Sequence, residues 1–183
     1  MTNVYTYKKL SVKAKVVATF IALACAVLLP RAAHLIGRAL GIGTSIGELL
    51  LPMHLPIILV GLLAGPAVGA LSGALAPLLS FAFTGMPLYH MLPFMVIELC
   101  AYGLISGLMA NVRTPSILKV LVAQVSGRLL KALALFVTFY ALDGTISPVS
   151  VISAVKIGAI GIVLQLTIIP LVIYVVNHAE KKH

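Results

Sequence analysis

The chain has 183 residues, of which 61% are apolar and only 9% charged. Soluble chains carry roughly 25% charged residues, and a single aqueous core could not hide this much apolar surface, so lipid must be the main solvent. A soluble enzyme, a nucleic-acid-binding module and a disulfide scaffold are excluded, and the scarcity of charge excludes a disordered chain. Thirteen Lys and Arg against four Asp and Glu leave a formal charge of +9. The cations gather at the ends of apolar segments, where they orient helices against a membrane rather than bind a polyanion. Cys25 and Cys100 lie inside apolar runs with no metal or redox spacing, and read as small packing residues.

A membrane helix needs about 20 apolar residues. Six segments come to that length or near it: 12–29, 49–65, 67–84, 91–110, 117–142 and 149–176. The expected architecture is an all-α integral membrane protein, one domain over 1–183, built as a six-transmembrane-helix bundle. The first segment follows a polar stretch but has no clear cleavage site before Pro30, so it reads as a retained helix rather than a signal peptide. Ala14, Ala18, Ala22 and Ala26 recur every four residues in it and form one smooth stripe. In lipid, small residues drive helix packing by close backbone approach, so the stripe suits another helix, in the bundle or on a partner. Residues 30–50 form the longest connection, partly apolar, read either as a segment folded back over the bundle or as a short interfacial helix.

Gly65-Pro66 separates the second and third segments and predicts a tight turn. Gly61, Gly65, Gly69 and Gly73 repeat the four-residue spacing across it, as do Gly103 and Gly107 in the fourth segment. The stretch from Gly85 to Pro93 predicts a short stiff loop. Lys8, Lys9, Lys13 and Lys15, then Arg113 and Lys119, then Lys181 and Lys182, fall on one side if there are six spans. Arg31, Arg38, Glu48 and Asp143 nearly cancel on the other. Both termini are therefore expected in the cytoplasm.

Ionisable residues inside the spans carry the most information, since each costs on the order of 2.5–3.5 kcal/mol at the bilayer centre. Glu98 and Lys156 each fall roughly 12 Å below the outer ends of their helices. Gln124, Arg128 and Lys131 follow i, i+4, i+7 spacing and share one face. These groups predict an outer-half solute pocket with net positive charge; a Glu98–Lys pair gluing helices, with the other cations snorkelling, is the structural alternative. His34 and His54 belong near its lid, and Tyr89 and Tyr102 at the interface or stacked on a ligand. His34, His54 and His90 match no metal-ligand spacing, so no metal is assigned. The chain has no phosphate-binding GxxxxGK[ST], HExxH or GxSxG motif, and no cofactor is expected.

The chain resembles the substrate-binding S component of an energy-coupling factor (ECF) vitamin transporter. The matching residues are Ala18-x-x-x-Ala22; Leu51-Pro52-Met53-His54-Leu55-Pro56 with Gly61-Leu62-Leu63-Ala64-Gly65-Pro66 and Gly69; Gly85-Met86-Pro87; and Glu98-Leu99-Cys100-Ala101-Tyr102-Gly103. The likeness spans essentially the whole chain. It implies a non-catalytic micronutrient-binding subunit of a prokaryotic plasma membrane. Its partners would be a transmembrane coupling subunit, docked on the alanine face of helix 1, and two ATPase subunits. The pocket would lie under the helix 1–2 and 3–4 loops, and the subunit would topple to release substrate inside. The nickel and cobalt branch uses an N-terminal Met-His sequence, which Met1-Thr2-Asn3 does not match. The pocket cations favour an anion such as pantothenate. An α-ribazole-like precursor or cobalamin stays open, as does an amine on Glu98. The alternative class is a stand-alone small membrane channel or scaffold.

Overall fold

The computed structural model describes residues 10–41, 49–142 and 144–180. Lys8, Lys9, Glu48, Asp143, Lys181 and Lys182, on which the charge-based orientation draws, lie outside them. The helices are α1 (Val12–Ala39), α2 (His54–Ala64), α3 (Pro66–Thr84), α4 (Leu92–Met109), α5 (Ser116–Ala141), α6 (Ser150–Ile157) and α7 (Ala159–Glu180), with a 3₁₀ turn at Tyr89–Met91. Among the described residues, five stretches are long and apolar enough to cross a membrane: α1, α3, α4 with its 3₁₀ turn, α5, and α7 as far as Val176.

The short apolar helix α2 holds the centre. It packs against α1, α3, α4 and α7, and its Ile57, Ile58 and Leu62 are fully buried. Its eleven residues rise about 16 Å, roughly half a hydrocarbon core. The expected segment 49–65 is not one continuous helix: Leu49 and Leu50 are helical, residues 51–53 are not, and α2 begins at His54. Non-helical backbone at membrane depth is tolerated where it lines a cavity, and residues 51–53 line one.

Two other boundaries differ from expectation. α1 runs ten residues past 29, through Pro30 to Ala39. Proline removes one backbone donor, but the residues that follow, Arg31-Ala32-Ala33-His34-Leu35, are mostly good helix formers, and proline is tolerated in membrane helices. What was read as connection is helical as far as Ala39, and residues 42–48 lie outside the described residues. At the other end, the segment 149–176 is two helices, broken at Gly158. A Cβ at Gly158 would meet the Leu51 side chain, and one at Gly161 the Leu50 backbone. Glycine there lets the chain entering α2 press against the α6–α7 corner.

The turn between α2 and α3 is Gly65 alone, at φ 96°, where a side chain would be strained. α3 then packs antiparallel along α4 at backbone contact. A Cβ on Gly69 or Gly103 would strike the other's carbonyl, one on Gly73 that of Leu99, and one on Gly107 the backbone at Pro66. Lipid tails are as apolar as leucine, so this approach of small residues is the packing force available. Lys119 is fully buried in the first turn of α5, and its Nζ donates to the Ala110 carbonyl at 3.0 Å, tying α5 to the end of α4.

The alanine stripe of α1 is turned inward. Ala22 packs with Val60 and Ala64 of α2 and Val68 of α3, and Ala18 lies against the same cluster. Ala26 is fully buried in the main core beside Leu23 and Ile57, while Ala14 is half-buried. Ala22 and Ala26 thus join α1 to its own bundle, while Ala14 and Ala18 are only half-buried. Val16, Val17, Phe20 and Ile21 are the exposed side of this helix. Ala22→Trp is accordingly expected to lose the folded protein, whereas Val17→Trp keeps it, as read by size-exclusion chromatography in detergent. A monodisperse Ala22→Trp peak matching the wild type would contradict this packing.

Candidate functional site

Because α1 continues past Pro30, Arg31, His34 and Arg38 stand at i, i+3 and i+7 on one helical face. All three line a cavity at the end of the bundle where α1 and α3 finish and α2 and α4 begin. Met53 and His54 enter it from the start of α2, Ser80 and Phe83 from the end of α3, Met95 and Glu98 from α4, and Arg128 and Lys131 from α5. α6 adds Ser150, Ser153, Ala154 and Ile157. Gly85, in the left-handed region at φ 71°, stops α3. The Thr84 hydroxyl donates to the Ser80 carbonyl at 2.7 Å and accepts from the Met86 amide at 3.2 Å, which turns the following loop over the cavity. Met86, Pro87, Leu88, His90 and Met91 then form its lip. The volume is about 670 Å³, within the range of roughly 300–1,000 Å³ usual for small-ligand sites.

A polar network forms one wall. Glu98 accepts from the Tyr102 hydroxyl at 2.7 Å on Oε1 and from Lys131 Nζ at 2.7 Å on Oε2. His54 Nε2 stands 4.0 Å from Oε1, and the His54 and Tyr102 rings meet at 5.2 Å between centroids. The Tyr102 oxygen, its proton given to Glu98, accepts from Arg128 Nε at 3.1 Å. One carboxylate therefore compensates Lys131 directly and holds Arg128 through Tyr102; among the described residues the terminal nitrogens of the Arg128 fork are left for another acceptor. Charge-assisted bonds of this kind are roughly twice as strong as neutral ones.

The structure brings together Glu98, Arg128, Lys131, His34 and His54 as cavity lining, and it separates four other expected site residues from it. Tyr102 is fully buried behind Glu98 and positions Arg128 rather than stacking on a ligand. Gln124 lies deeper on the shared face of α5, and its Nε2 donates to Gln165 Oε1 at 2.8 Å; Gln165 in turn donates to the Leu51 carbonyl at 3.2 Å. That chain ties α5 and α7 to the strand of backbone entering α2. Lys156 is exposed, because the cavity side of α6 is defined by Ser150, Ser153, Ala154 and Ile157, and its long stem reaches away from them. Tyr89 is 78% exposed, with its ring against Phe81. His34, His54 and His90 all line the cavity, yet among the described residues no three His, Cys, Asp or Glu side chains converge to hold a metal ion.

Arg31 and Arg38 were not among the expected site residues. Their signal was the three- and four-residue spacing of Arg31, His34 and Arg38, which has meaning only if the helix survives Pro30. Met53, Phe83 and Met95, the apolar part of the lining, carry no sequence signal distinct from lipid-facing residues.

Residues 13–177 match the family described as ECF transporter, substrate-specific component. No curated protein and no solved structure matches the chain. With apolar helices around a walled, cationic cavity and a family match over nearly its whole length, the chain belongs to the substrate-specific components of ECF transporters, multi-pass proteins of the cell membrane that bind the transported substrate.

Proposed function

We propose that this chain captures an anionic vitamin or vitamin precursor on the outer side of the membrane. It passes the ligand to a transmembrane coupling subunit energised by two ATPase subunits. The observation that carries this reading is the charge of the cavity. Among the described residues, Arg31, Arg38, Arg128 and Lys131 line it against one carboxylate, that of Glu98, which is already committed to Lys131 and Tyr102. A ligand amine would have to displace Lys131 from Glu98, whereas an anion meets the unused donors of Arg128. Six crossings with both termini in the cytoplasm, α2 serving as the short second crossing, put the cavity outside. The chain has no nucleotide-binding motif of its own, which supports the need for ATPase partners. A stand-alone channel is disfavoured, since Leu62, Val120, Ile169 and Ile173 fill the bundle with at most 2% exposure.

Native mass spectrometry of the purified protein would identify a retained ligand, and calorimetric titration with that ligand tests the site. Arg128→Met keeps the length of the side chain and removes its charge. The lost charge-assisted bond, worth about 1.5–3 kcal/mol, should weaken binding roughly 10- to 150-fold. Unchanged affinity in folded Arg128→Met would remove the anion reading.

A further inference from the structure

We propose that the cavity holds two anion stations and that its ligand is a dianion with an apolar middle, one acidic group meeting Arg128 and the other the Arg31–His34–Arg38 stripe of α1. This rests on the anion-capture reading above. α1 packs against α2 and α3, whereas α5 packs against α4 and α7, so the stripe and Arg128 face the cavity from different walls. Arg31 and Arg38 are two turns apart on one face with His34 between them. Among the described residues, every ion pair centres on Glu98, and neither α1 arginine has a carboxylate within 4.0 Å. His34 lines the cavity between them. A carboxylic or phosphate group seated at this stripe would accept charge-assisted bonds from the two guanidinium groups. Met53, Phe83 and Met95 also line the cavity, and suit a ligand whose charges are separated by an apolar segment. A monoanion would leave one station empty.

The test uses the intact protein in phosphatidylcholine nanodiscs and calorimetric titration with hexanedioate, octanedioate and decanedioate, each against the monocarboxylate of equal length. The best diacid is expected to bind at least about tenfold more tightly than its monoacid, a difference of one charge-assisted contact. In the Arg31→Met/Arg38→Met double variant the diacid should fall to the affinity of the monoacid. Arg128→Met should weaken both classes. Both α1 arginines are exposed, so the double variant is expected to fold, which circular dichroism checks. Equal affinity for diacids and monoacids at every length, with Arg128→Met still weakening them, overturns the second station and leaves anion capture standing. Absence of binding by either class, with Arg128→Met altering nothing, overturns both. Loss of the diacid preference in discs containing phosphatidylglycerol assigns the stripe to lipid phosphate and overturns its role toward a soluble ligand.

Discussion

Gly103→Leu is expected to abolish the folded protein, and Gly103→Ala to lower its thermal midpoint sharply. A single Cβ on Gly103 meets the carbonyl and Cα of Gly69 at less than contact distance. The obstacle is backbone on both helices, so no side chain can rotate away, and α3 must separate from α4 along their whole seam. Overpacking typically costs about 1–3 kcal/mol where side chains can adjust, and the upper end is expected here for alanine. Leu104→Ala, on the exposed side of the same helix, is the control and should change little. The chain has no tryptophan, so unfolding is best followed by circular dichroism or by recovery of the monodisperse peak after heating. A Gly103→Ala protein as heat-resistant as the wild type would mean that α3 and α4 do not meet at these glycines.

Lys131→Met is expected to have the second large effect, on stability before it is seen in binding. It removes the 2.7 Å partner of a carboxylate whose side chain is 6% exposed. Breaking a buried pair by deleting one member typically costs about 3–5 kcal/mol, because the remaining charge is left uncompensated. Tyr102 still donates to Glu98, and the cavity admits some water, so the loss should fall toward the lower end. Adding Glu98→Gln to Lys131→Met removes the orphaned charge and should recover part of the stability, giving a large coupling energy in the double-mutant cycle. Additive effects of the two substitutions would show that the pair is not a unit. This separates Lys131 from Arg128: the first neutralises Glu98, while the second keeps unused donors facing the cavity and should act mainly on affinity.

Much of this protein is legible before any fold is known. Its composition determines that lipid is the solvent, because no aqueous core could bury so much apolar surface. Runs of apolar residues place the long helices, since the bilayer demands a minimum length, and Gly65-Pro66 marks the turn between α2 and α3. Glu98, Arg128 and Lys131 stand out because a charge at membrane depth persists only with a partner or a cavity. Tertiary structure decided which way each face turns. The alanine stripe could have served a partner or the bundle equally well, and it is the short α2, through Val60 and Ala64, that covers Ala22. Proline at position 30 reads locally as a helix end, yet the helix continues and carries Arg31 and Arg38 to the cavity wall. Tyr102 and Gln124 look like ligand contacts by residue type, and only their bonds to Arg128 and Gln165 reveal them as supports. Periodicity tells which residues share a face of one helix. Which helix that face meets depends on long-range packing, and a local pattern holds no record of it.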